Sequence, residues 1–308
     1  MQKQKVLVFD GTAQAAIDYL KANDLEVVSN PQQTDADFLA AADVDAVILM
    51  MHPLTENLLS QMPNLKVIAR YGVGYDNVNL ADATARDIVV TNTPGANATA
   101  VAETAIMHML MAGRYFYQQR QSITDPTVPN GTGQEVSHKT VGIVGFGAIG
   151  QKIDDLLTGF DVEVLAYARH DKPVKNGRMA TLDEIYTQSD YIILALPATP
   201  ETQHMIDAAV FKQMKPNAVL INIARGAVVD EAALITALQT GEIAGAGLDV
   251  VAVEPVEPDN VLLTLPNVFV TPHVAAKSIE AFDAVGLAAA QDVVRVLKGE
   301  SAKNQVNA

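Results

Sequence analysis

The chain has 308 residues, 49% of them hydrophobic and 19% charged, with a formal net charge of −15 and no cysteine. That length suggests about two globular domains. The acidic balance argues against nucleic acid or an anionic membrane surface as partner, and the lack of cysteine excludes disulfides, a thiolate nucleophile and cysteine-based zinc sites. No apolar run approaches the ~18 residues of a membrane span, the first ten residues are too poor in apolar side chains for a secretory core, and a cytoplasmic protein without a metal site is expected.

Taken in order, Val6–Phe9 reads as a buried strand, Thr12–Ala22 as a helix and Glu26–Ser29 as an extended piece. Val44–Met51 is a strand, Thr55–Gln61 a short helix before Pro63, and Val67–Ala69 a strand running into Gly72-Val73-Gly74. Leu80–Arg86 is a helix and Ile88–Thr91 a strand. Asn92–Asn97 is dense in turn residues and is a candidate hinge. A helix rich in Ala, Met and Leu covers Thr99–Tyr117, followed by a loop over Thr124–Gly133.

Thr140–Gly150 reads TVGIVGFGAIG. A β-branched run leads into Gly145-x-Gly147-x-x-Gly150, and a helix follows over Gln151–Phe160. In a dinucleotide site Gly145 makes the tight turn, Gly147 admits the pyrophosphate, and Gly150 lets the helix lie close on the sheet. The helix start, with Ala148 and Ile149, offers N–H groups and a positive dipole end to phosphate.

Strands at Val162–Tyr167, Tyr191–Leu196, Ala218–Ile223, Gly245–Val250 and Val268–Thr271 then alternate with helices at Thr181–Thr187, Ala208–Gln213 and Glu231–Leu238. A closing helix runs from Ser278 to Leu297. This alternation predicts the α/β class, with two doubly wound parallel-sheet domains and ligands at the C-terminal strand ends.

Three side chains fall just after such strand ends: Arg225, Glu254 and His273. The set suits carbonyl reduction. A guanidinium binds a carboxylate with two parallel bonds, an imidazole gives a proton to a forming alkoxide, and a carboxylate orients that imidazole. His52, His108, His138 and His204 read as ordinary core, turn or surface histidines.

The segments GFGAIG, ALPATPETQHMI, LINIARGAVVDEAAL, GAGLDVVAVEP and LPNVFVTPHVAA, with RYGVGYDNVNL and VTNTPGANATAVAE before them, stand in an order and spacing that resembles the D-isomer-specific 2-hydroxyacid dehydrogenases. The resemblance runs from about Val44 to the closing helix. It implies a Rossmann cofactor domain, about 99–278, inserted into a flavodoxin-like substrate domain formed by 1–98 and 279–308. It implies hydride transfer between NAD(P)H and a small 2-oxo acid, giving a D-2-hydroxy acid, by a homodimer. Arg225 would bind the 2-oxo acid, His273 would be the acid/base and Glu254 its partner. Gly72, Val73 and Gly74 would cradle the substrate carboxylate as a backbone nest. Asp249 and the Ala224 carbonyl would take the nicotinamide carboxamide and Val101 would lie against its ring, while Pro197 and Ala276, with Arg225 and His273, would complete the cofactor contacts.

Two departures refine that expectation. The phosphoglycerate branch carries an Arg-Ser pair where this chain has Leu49 and Met50, and the chain shows no regulatory domain, so 3-phosphoglycerate is the less favoured substrate. NAD-selective relatives carry Asp where this chain has Ala168, about twenty residues past Gly145, the place of the ribose-binding acid. Arg169, His170 and Lys172 follow it. NADP is therefore the expected cofactor, with NAD the alternative. The competing functional class is a dinucleotide-sensing binding protein of the C-terminal-binding-protein type, which keeps the same residues.

Overall fold

Parallel pairing of short apolar runs builds two separate sheets. The computed structural model describes residues 3–30 and 34–307. The chain divides into two compact units, residues 1–97 with 277–308, and residues 98–276.

The first unit begins with β1 (Lys5–Phe9), α1 (Gln14–Ala22), β2 (Glu26–Asn30), α2 (Asp35–Ala40) and β3 (Ala46–Leu49). It continues with α3 (Glu56–Leu59), β4 (Val67–Arg70), α4 (Leu80–Thr84) and β5 (Val89–Thr91). The sheet order is β2-β1-β3-β4-β5, all parallel. Side chains alternate across it as strand geometry requires. Val6, Val8, Ile48 and Ala69 join a cluster with Val285, Ala289 and Val293 of the closing helix, Ile279–Leu297. Leu7, Val47, Leu49 and Ile68 join the opposite cluster with Phe38, Leu58 and Leu59. Both faces being covered explains why these strands read as continuous apolar runs.

The second unit holds α5 (Ala98–Gly113), α6 (Phe116–Ser122), β6 (Thr140–Val144), α7 (Ala148–Leu157), β7 (Glu163–Tyr167), β8 (Gly177–Met179) and α8 (Leu182–Gln188). β9 (Tyr191–Leu194), α9 (Ala208–Phe211), β10 (Val219–Asn222), α10 (Glu231–Thr240), β11 (Gly245–Leu248) and β12 (Val268–Val270) complete it. Its seven parallel strands run β12-β11-β10-β9-β6-β7-β8, the doubly wound dinucleotide-fold order. The order reverses at β6, so the ends of β6, β7 and β9 open on one crevice.

Three elements differ from the sequence reading. α2 is started by a reciprocal cap between Thr34 and Asp37. The helix expected over Thr99–Tyr117 stops at Gly113, and Tyr115 takes a left-handed conformation at φ +48° before α6 begins. β8 is a three-residue edge strand that lacks an apolar run. No helix among the described residues is long and apolar enough to cross a membrane.

Candidate active site

The glycine-rich turn joins β6 to α7. Gly145 has φ +101°, and a Cβ there would lie 2.4 Å from the Ala195 carbonyl oxygen, so no other residue fits. A Cβ on Gly150 would lie 2.3 Å from the Gly145 oxygen, which is the close helix–sheet approach. A Cβ on Gly147 would meet no protein atom within 4 Å. That glycine keeps open a space the protein itself does not fill. No side chain caps the first turn of α7, whereas oxygen atoms of Thr181, Asp207 and Asp230 cap α8, α9 and α10. An open cradle and an uncapped ten-residue helix fit the pyrophosphate of a dinucleotide.

At the end of β7, Ala168 is half-buried and Arg169 and His170 are exposed. Lys172 turns back and donates from Nζ to the Phe146 carbonyl at 2.9 Å. Pro197, after β9, is exposed, while Val101 is buried in α5, in the same cluster as Ala275, with Ile149 and Ala276 packed against it.

The structure brings Glu254 and His273 together. His273 Nδ1 lies 2.7 Å from Glu254 Oε2, and both side chains are about one-third exposed, at 38% and 31%. Burial works against ionisation of Glu254. The His273 hydrogen bond and charge, the Val251 N–H and the Arg225 guanidinium outweigh it and hold the carboxyl below its ordinary range. With Nδ1 engaged, Nε2 of His273 has no partner among the described residues. Arg225 precedes a short 3-10 turn and bonds the Ala224 carbonyl from Nη1 at 2.7 Å.

Asp249 is 1% exposed and organises the segment that carries His273. Its carboxylate accepts from Thr271 Oγ1 at 2.5 Å, Val274 N at 2.9 Å and Ala275 N at 2.9 Å, and its carbonyl accepts from His273 N at 2.8 Å. His273 is held at φ +52°, an uncommon left-handed conformation that histidine adopts more readily than most residues, and these bonds on both sides of it maintain it. Both Asp249 oxygens and the Ala224 carbonyl, expected to meet the carboxamide, are thus engaged by the chain itself.

In the other unit, the carbonyls of Gly72, Val73 and Gly74 all point into the protein. They accept from Thr93 N at 3.0 Å, Asn92 Nδ2 at 2.7 Å and Arg70 Nε at 2.8 Å. Their three N–H groups donate to no protein atom among the described residues, as an anion-binding nest requires. Buried Arg70 also bonds the Leu49 carbonyl at 2.6 Å and the Met50 carbonyl, tying this loop to the end of β3.

Sequence reasoning missed Arg70, Asn222 and Thr271. Asn222 caps the Arg225 turn, accepting from Ala224 N and donating to the Arg225 carbonyl, both at 3.0 Å. The available signal was a polar residue closing an apolar strand run, as in Ile68-Ala69-Arg70 and Leu220-Ile221-Asn222. Among the described residues no group of three His, Asp or Glu side chains is arranged to hold a metal ion.

The family model for the NAD binding domain of D-isomer specific 2-hydroxyacid dehydrogenases matches residues 106–275, more than half the chain. The chain is 38% identical over 284 residues to a glyoxylate reductase of Pyrococcus furiosus, covering 86% of this chain and 83% of that one. It is 36% identical to a D-3-phosphoglycerate dehydrogenase of Archaeoglobus fulgidus over 98% of its own length but only 59% of that relative's. The crystal structure of an NADPH-dependent glyoxylate/hydroxypyruvate reductase from Sinorhizobium meliloti, in complex with NADP and malonate, superimposes with a TM-score of 0.84 at 32% identity, covering 99% of this chain and 97% of that one. With its glycine-rich turn, its Glu254–His273 pair and these relatives, the chain belongs to the D-isomer specific 2-hydroxyacid dehydrogenases, a family of NAD(P)-dependent oxidoreductases.

Proposed function

We propose that the protein reduces a small 2-oxo acid with an uncharged side chain to the D-2-hydroxy acid, with NADPH as the preferred reductant. The 2.7 Å bond between Glu254 and His273 Nδ1 carries this reading, because it fixes the ring and leaves Nε2 for the substrate oxygen. A nicotinamide dinucleotide held at the Gly145–Gly150 turn would supply the hydride that C2 takes up, and His273 gives the proton to the carbonyl oxygen, so that C=O becomes CH–OH. Arg225 binds and polarises the acid. The Gly72–Gly74 loop offers N–H groups to a carboxylate.

The apolar neighbours of the loop support an uncharged substrate side chain. Met50 is half-buried and Met51 is 61% exposed, with Leu49 and Met50 standing where the phosphoglycerate branch has Arg-Ser. The cofactor preference is supported by Ala168 in place of an acid and by the cations Arg169 and Lys172 beside the crevice. A cytoplasmic homodimer fits the cysteine-free composition and the apolar side chains exposed on α5 and α6.

The test is reduction of glyoxylate, hydroxypyruvate and branched 2-oxo acids by wild type and His273→Ala. The variant should keep its fold and lose about 10²–10⁴-fold in kcat. A variant within a few-fold of wild type would remove His273 from the role.

A further inference from the structure

A buried histidine on α5 has no part in the chemistry described so far. His108 is 0% exposed, and its Nε2 lies 2.9 Å from Thr271 Oγ1, on the segment that carries His273. The Thr271 hydroxyl has a single proton, which it gives to the acceptor-only carboxylate of Asp249. Toward His108 it can only accept. The ring must therefore carry its proton on Nε2, and Nδ1 is bare, buried and without a partner.

The fold makes room for this arrangement. A Cβ at Gly247 in β11 would come within 2.9 Å of His108 Cβ and 3.2 Å of Nδ1. The ring lies 5.1 Å, centroid to centroid, from Phe269 of β12. A leucine would fill a space of this kind without burying an unpaired nitrogen. What the histidine adds is one directed N–H, aimed at Thr271.

We propose that His108 is a positioning residue for the reduction: it donates from Nε2 to Thr271, fixes the Thr271–Asp249 bond, and so holds the segment on which His273 faces Glu254. The chain is His108 Nε2–H to Thr271 Oγ1, Thr271 O–H to Asp249 Oδ1, and Asp249 from Val274 N and Ala275 N. Each link leaves the next one orientation. The inference rests on the role proposed above for His273.

The experiment compares His108→Leu, His108→Gln and His273→Ala in the full-length enzyme, assayed with NADPH and glyoxylate, and records the imidazole 15N–1H spectrum of wild type. The glutamine amide nitrogen reaches about where Nε2 stands. His108→Leu should lower kcat by about 10- to 100-fold, the scale of a small misplacement of a catalytic group, with KM changed less than about threefold. His108→Gln should recover most of the rate. The spectrum should show His108 protonated on Nε2, whether or not the leucine variant folds. Wild-type kcat in a folded His108→Leu enzyme, a glutamine variant as slow as the leucine one, or a proton on Nδ1 overturns the proposal. The leucine loss, the glutamine recovery and the Nε2 proton, found together beside an inactive His273→Ala enzyme, support the proposal. An active His273→Ala enzyme overturns the role of His273 and this inference with it, whereas an inactive one beside an unaffected His108→Leu overturns this inference alone.

Discussion

Lys172 Nζ donates to the Phe146 carbonyl at 2.9 Å, so its ammonium lies against the glycine-rich turn instead of in open solvent. With exposed Arg169 it places two cations after β7, Asp171 standing between them in the sequence, and Ala168 adds no carboxylate that would repel a phosphate. Arg169 also lies within electrostatic reach of Glu201, whose carboxyl is lowered first by the Thr199 hydroxyl and last by Arg169. One charge-assisted phosphate contact is worth ~1.5–3 kcal/mol, a preference of about ten- to a hundredfold. The kcat/KM for NADPH should exceed that for NADH by this order, and Ala168→Asp with Arg169→Ala should abolish or invert the bias. A parent enzyme that prefers NADH would show that these cations serve another purpose.

Arg225 should not be replaceable by lysine. Its planar fork can bind a carboxylate through two parallel bonds, which a lysine ammonium cannot reproduce. Arg225→Lys should lose at least about tenfold in kcat/KM with the thermal midpoint unchanged. Near-normal kcat/KM would remove the two-point contact.

His108 should make the fold sensitive to mild acid. Burial pushes its imidazole down to about 4, against a small upward pull from the Asp249 charge, while in the unfolded chain it titrates near 6.5. Between those values the unfolded chain binds the extra proton, so stability rises with pH across this window and is lost as pH falls from 6.5 toward 4. The full effect is about 3 kcal/mol. Urea unfolding from pH 7 to pH 4 should show this loss in wild type, and His108→Leu should flatten it. An unchanged slope in the variant would mean that other groups set the acid limit.

Met107, Leu110, Phe116, Tyr117 and Ile123 leave α5, α6 and the turn after it with exposed apolar surface, Ile123 at 75%. Covering such surface favours self-association. Light scattering at micromolar concentration should report about twice 32.8 kDa. A particle of 32.8 kDa would contradict the dimer.

The buried strands and the glycine-rich turn were legible because their signals sit in a few consecutive residues. Val141–Val144 followed by three spaced glycines specifies strand, turn and helix start from local sterics alone. α2 was legible in principle from Thr34 and Asp37, three residues apart. β8 was not, because an edge strand of Gly177-Arg178-Met179 owes its form to pairing with β7.

From the sequence alone came the order of the parts: glycines after a strand, then Arg225, Glu254 and His273 at successive strand ends, and Ala168 where an acid was expected. Only the tertiary structure decided which of them meet. Glu254 and His273 are 19 residues apart, and His108 and Thr271 are 163 apart. Nothing in the local pattern of α5 marks His108 as more than an apolar-face residue. Its role, the place of Asp249 at the centre of the His273 segment, and the tie from Arg70 to the end of β3 all depend on directed hydrogen bonds between distant parts of the chain. Such bonds form only when packed sheets bring donor and acceptor within 3 Å or so, and periodicity carries no record of them.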